Sequence, residues 1–154
     1  MVTEKSGKIT AKQRKFALIV SRFNDLISKR LVEGAIECLY QHEAKESQIK
    51  TFWVPGVFEI PILAKKIASS GKFDGVICLG SAIRGDTPHF DYLASEVTKG
   101  VMLISLESML PVTFGIVVAD TLEQAMERAG GKLGNRGRDA AMTNMELIDL
   151  LSQI

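Results

Sequence analysis

The chain has 154 residues, 46% hydrophobic and 24% charged, which fits one ordinary globular domain with enough apolar material for its own core. Its 19 basic and 18 acidic residues leave a net charge of +1, so it lacks the basic surplus that drives nucleic-acid binding by counterion release. No apolar run reaches membrane-spanning length, and the opening MVTEKSGKITAKQRK is polar and charged, unlike a secretory leader.

In chain order, KIT at 8–10 is the weakest strand candidate. It is too short and isolated for a central strand, so it is either a loose tail or an edge strand added to a neighbouring subunit's sheet. FALIV at 16–20 is a continuous apolar run, as expected of a strand buried on both faces. A helix follows over 24 to about 42, where Ile27, Leu31, Ala35 and Cys38 recur on one face and Asn24 stands as N-cap. IKTFWV at 49–54 reads as the next strand. A helix over 58 to about 70 carries Pro61 in its first turn and is ended by Gly71. GVICLG at 75–80 is another buried strand. A helix from His89 to about Ser108 repeats the stripe through Leu93, Val97, Val101 and Ile104. VTFGIVVA at 112–119 is the last strand, again of the buried type. TLEQAMERAGG opens on a capping box of Thr121 and Gln124 and closes on Gly130 and Gly131, and a final helix spans 139–151.

Strand and helix therefore alternate. That is the pattern of a single α/β domain, 1–154, with residues 1–14 as an N-terminal arm: a three-layer α/β/α sandwich around a mostly parallel four-stranded sheet. Cys38 and Cys78 both lie in apolar segments, where buried free thiols suit a reducing compartment and a cytoplasmic location.

In open α/β sheets ligands bind beyond the carboxyl ends of the strands, which selects the loops SRFND, PGVFE, SAIRGDTPH and ADT. Within GSAIRGDTPHFDY, Gly80 and Gly85 have the spacing of a triphosphate-binding loop, but Asp86 stands where that loop needs lysine. The turn around Gly85, Asp86 and Thr87, at a helix start, is better suited to a single phosphate. His89 has two readings, a packed or capping histidine and a proton carrier. Its place on the ligand rim favours the second, since a histidine near its ordinary pKa of about 6.5 exchanges protons in both directions. His42 reads as a solvated helix-end residue.

Arg128, Lys132, Arg136 and Arg138 cluster in a glycine-rich stretch that is either a solvated loop or an anion site. Arg128 is the candidate clamp, with Arg84 as a competitor. Phe23 and Phe58, at strand ends, are placed to stack on a flat ring, whereas Phe114 lies inside a strand and has a core reading too. No H-E-x-x-H, C-x-x-C or G-x-S-x-G is present.

SRFND, VPGVFEIP, GSAIRGDTPHFDYLASEV, PVTFGIVVADTLEQAMERAG and GNRGRDAA, in this order, resemble the 6,7-dimethyl-8-ribityllumazine synthase family over most of the chain. The resemblance implies a flavodoxin-like fold and the penultimate step of riboflavin biosynthesis, in which 5-amino-6-(D-ribitylamino)uracil condenses with 3,4-dihydroxy-2-butanone 4-phosphate. It implies no cofactor and no metal. By matching position, Phe23 stacks on the pyrimidine, and Asn24, Val57, Phe58 and Glu59 line the ribityl chain. Ser81, Ala82 and Ile83 meet the ring edge. Gly85, Asp86, Thr87 and Arg128 hold the phosphate, and His89 moves the protons. Phe114, with Arg136 and Asp139 as secondary candidates, comes from a neighbouring subunit.

The family's oligomers are pentamers, and some members close twelve pentamers into a shell. No insertion separates the last two helices here, which favours the sixty-subunit shell, with riboflavin synthase as candidate cargo. Ser81 and Ala82 are smaller than the branched residues common in the family, and Arg136 stands where lysine is frequent. Two other readings share the fold, a flavin-binding module without catalysis and a shell-forming structural relative. A binder would not need His89, and a degraded shell would be expected to lose His89 or Arg128, yet both are present.

Overall fold

The computed structural model describes all 154 residues. Four strands form the central sheet: β1 (Phe16–Ser21), β2 (Ile49–Val54), β3 (Gly75–Ile83) and β4 (Val112–Ala119). Their spatial order is β2-β1-β3-β4 and every pairing is parallel. Of the three segments read as buried strands, β1 and β3 are central and β4 is an edge strand, and all six residues of β1 are buried. The edges differ: only Val54 of β2 is buried, and β4 leaves Phe114 and Val118 open. A central strand meets a helical layer on each face, which is why its sequence is apolar without alternation.

Alternate residues of β1 feed two cores. Phe16, Leu18 and Val20 pack with α1 (Asp25–Gln41) and α5 (Arg136–Ser152). Ala17 and Ile19 pack with α2 (Ile60–Ala68) and α3 (His89–Ser108). The expected stripe Ile27, Leu31, Ala35 and Cys38 is buried, as are Val97, Val101 and Ile104, while Leu93 is only partly covered. Both cysteines are free and buried, and burial pushes the Cys78 thiol up to about 12.

The structure departs from expectation at several places. β3 runs three residues past Gly80, because β4 continues far enough to pair Ser81 with Val117 and Ile83 with Ala119. Asn24 precedes α1 but does not cap it with its side chain: it sits at φ 60°, a left-handed conformation that asparagine tolerates. A 3-10 turn at Val57–Glu59 precedes α2, which starts only at Ile60. The helix after Thr121 is short, α4 (Leu122–Glu127), with Thr121 Oγ1 accepting from Gln124 N–H at 3.1 Å. The AGG beyond it pairs with Gly134–Asn135 as a two-stranded hairpin, β5 (Ala129–Gly131) and β6, whose corners place Gly130 at φ 93° and Gly134 at φ 85°. Asn135 then caps α5, accepting from Gly137 N–H at 2.8 Å and Arg138 N–H at 3.1 Å, so that helix begins at Arg136 rather than 139.

KIT at 8–10 forms no strand within the single chain. Lys8 N–H donates to Asp149 of α5 at 2.8 Å, Ala11 N–H donates to the His42 carbonyl at 2.8 Å, and Ile9 packs against the α1–α5 core. The Gln48 side chain donates to the carbonyls of Ala11 (2.7 Å) and Arg14 (2.6 Å).

Candidate active site

Because β1 lies between β2 and β3, the loops leaving these three strands adjoin. They enclose a cavity of about 620 Å³ at the carboxyl rim. Phe23 comes from the end of β1, and Val57, Phe58 and Glu59 from the turn after β2. Ser81, Ala82 and Ile83 come from the end of β3, and Gly85, Thr87 and His89 from the following loop and the start of α3. The fourth rim loop, after β4, does not reach this cavity, since β4 is the far edge strand. A larger depression of about 950 Å³ lies at the opposite rim among Lys15, Lys50, Lys66 and Lys72. Ligands of open α/β sheets bind at the carboxyl ends, so the smaller cavity is the candidate site.

Two of its phenylalanines are presented rather than packed: Phe23 is 70% exposed and Phe58 66%. Apolar rings held open to solvent beside a cavity are platforms for a flat ligand. Glu59 Oε2 accepts from Gly56 N–H at 3.0 Å, which holds the turn and leaves the carboxylate's second oxygen for a ligand hydroxyl. Just before the lining Ser81, a Cβ on Gly80 would fall on Ser21 Oγ. His89 is the first residue of α3 and is exposed, which removes the packed-core reading. His42, by contrast, is half-buried and donates Nδ1–H to the Cys38 carbonyl at 2.7 Å, finishing α1. The acceptor is a carbonyl, so Nδ1 carries the proton.

Four sequence candidates lie away from this cavity. Phe114 is 38% exposed on the edge strand. Arg128 sits at the end of α4, with Nη1 donating to the Gln124 carbonyl at 3.0 Å, and its own carbonyl accepts from Arg136 N–H at 2.9 Å. Arg136 pairs with Asp139 at 3.1 Å in the first turn of α5. Within one chain, then, Arg128 does not meet Gly85 and Thr87. Asn24 and Asp86 flank lining residues without lining the cavity themselves.

Sequence reasoning missed Phe90 and Leu93, which also line it. Their signal was available, since 89, 90 and 93 share one side of a helix start. Arg84, weighed as a phosphate clamp, is already engaged: Nε donates to Asp120 Oδ1 at 2.8 Å, Nη1 lies 3.1 Å from Asp91 Oδ1, and Cζ stands 4.6 Å from the Phe90 ring centroid. The Asp120 hydrogen bond, with the Asp91 charge behind it, pushes the guanidinium's pKa up.

The family model described as 6,7-dimethyl-8-ribityllumazine synthase matches residues 13–152. The chain belongs to the lumazine synthase family. A 6,7-dimethyl-8-ribityllumazine synthase from Chlorobium limicola (strain DSM 245 / NBRC 103803 / 6330) is 55% identical over 147 residues, covering 96% of this chain and 95% of that relative. The lumazine synthase match takes in every strand and helix and the whole cavity wall, and leaves out most of the arm.

Proposed function

We propose that the protein condenses 5-amino-6-(D-ribitylamino)uracil with 3,4-dihydroxy-2-butanone 4-phosphate to 6,7-dimethyl-8-ribityllumazine, releasing phosphate and water. The observation that carries this is His89 at the mouth of an aromatic-flanked cavity, beside a polar turn, in a chain of this family. The substrate's own amine attacks the ketone to form an imine with loss of water. Phosphate then leaves and the second amine closes the ring with loss of a further water. Each step transfers protons, which is the task assigned to His89. Phe23 stacks on the pyrimidine, Val57, Phe58 and Glu59 hold the ribityl chain with Asn24 beside them, and Ser81, Ala82 and Ile83 contact the ring edge. The turn at Gly85, Asp86 and Thr87 takes the phosphate. Holding the two substrates in contact supplies much of the remaining acceleration.

The full site is read as composite. Phe114, Arg128, Arg136 and Asp139 lie outside the cavity of their own chain, and a neighbouring copy brings such a set to it. Exposed apolar surface supports assembly: Met102, Leu103, Leu106 and Met109 form an open stripe on and just beyond α3, opposite its buried stripe, and Val118 and Leu122 are also open. The assembly proposed is a pentamer, with twelve closing a shell that could enclose riboflavin synthase. Two buried free thiols suit a cytoplasmic enzyme.

The test mixes both substrates with protein and follows lumazine absorbance and fluorescence; no acceleration over the uncatalysed condensation sinks the proposal. His89→Ala should slow turnover by roughly a hundredfold, the low end of general acid–base catalysis, with substrate binding near native. A collapse of binding at unchanged turnover would contradict the proton-transfer role.

A further inference from the structure

We propose that Arg84 is the positioning residue of this site: without touching substrate, it holds the first turn of α3, and with it His89, against the ends of β3 and β4. The inference rests on the proton-transfer role of His89 given above. Arg84 is anchored at its own backbone, where its N–H donates to the Ala119 carbonyl at 3.0 Å and so extends the β3–β4 pairing by one step. Beyond it the chain leaves the sheet through Gly85, Asp86, Thr87 and Pro88, and the next backbone bond in this stretch is Asp91 N–H to the Pro88 carbonyl at 3.1 Å, inside the helix start. The side chain of Arg84 crosses this gap. It meets the two residues that follow His89, stacking on Phe90 at 4.6 Å and pairing with Asp91 at 3.1 Å, while Asp120 at 2.8 Å holds it from the β4 side. One guanidinium therefore closes the turn that carries both the phosphate-recognition residues and the proton carrier.

Three directions of contact are what a planar guanidinium provides and an ammonium cannot. Phe90 is itself 8% exposed and rooted in the α2–α3 core, so the helix does not depend on Arg84 for its existence. What Arg84 adds is the setting of its first turn. Its ion pairs are exposed, and such pairs contribute little to stability. Its loss should therefore appear in catalysis rather than in melting temperature.

The experiment compares Arg84→Ala, Arg84→Lys, Asp91→Asn and Asp120→Asn with the native protein in steady-state kinetics, thermal melts and crystal structures. Arg84→Ala should lose about ten- to a hundredfold in kcat, as expected of a reacting group displaced by about 1 Å, with both KM values near native. Arg84→Lys should fail to restore kcat, and the two Asp→Asn changes should each cost part of it, without adding fully to Arg84→Ala. A native kcat in Arg84→Ala overturns the proposal. So does a loss confined to KM for the phosphate-bearing substrate, which would make Arg84 a direct anion ligand. If the native protein shows no turnover, the proposed function falls, and the crystal structures still decide for Arg84: an unmoved His89 in Arg84→Ala refutes it. Should Arg84→Ala fail to fold, Asp120→Asn answers the same question from an exposed partner.

Discussion

One carboxylate, Asp149, ties the two ends of the chain together. It accepts from Lys8 N–H at 2.8 Å, from Gln153 Nε2 at 3.0 Å and from Arg14 at 3.1 Å. Chiefly the Lys8 N–H, and then the Gln153 and Arg14 donors, hold its pKa below the usual carboxylate value. The unfolded value is near 3.9, so this tether is complete above that pH and is lost as the pH falls through the lower folded value. A dye on the N-terminal amine should show high anisotropy at neutral pH and a drop once the pH falls below the ordinary carboxylate value, as the arm is released. Asp149→Ala should show the low value already at pH 7. An anisotropy indifferent to both changes would mean that Ile9 and Ala11, through burial, hold the arm alone.

At the scale of elements, α1 and α5 approach closely where a glycine of α5 meets the α1 backbone. A Cβ on Gly137 would fall on the Leu31 carbonyl, which is backbone and cannot swing aside. Gly137→Ala should therefore lower stability by about 1–3 kcal/mol in urea unfolding, as overpacking does. Gly85→Ala, with nothing near its Cβ, should leave stability close to native. The helices themselves were legible because a buried stripe of period 3.6 is written locally; α3 matches its expected limits at both ends. Boundaries were missed where they depend on a partner. The end of β3 waits on how far β4 runs, and the start of α5 on Asn135 as cap. The Ala129–Asn135 hairpin is not legible in the sequence, because its strands are glycine-rich and carry no alternation for a pattern to reveal.

For the molecule as a whole, the expected outcome is assembly. Light scattering should give a mass about five or sixty times that of the 16.9 kDa chain, since the exposed stripe on α3 and the group around Arg128 both call for a neighbour. A monomer mass together with full activity would sink the composite site.

The sequence by itself determined the four sheet strands and the longer helices, most of the cavity's lining residues and the family. These rest on periodicity, on capping and on ordered motifs, all of which are local. Only the tertiary structure decided that β1 lies between β2 and β3, and hence that three rim loops form the cavity and the fourth does not. Only the tertiary structure turned Arg84 from a candidate anion ligand into a brace, because Asp120 lies 36 positions along the chain and reaches it only once β3 and β4 have paired. The residue types were written in the chain; which of them meet was settled by strand order, a property of the assembled sheet rather than of any segment.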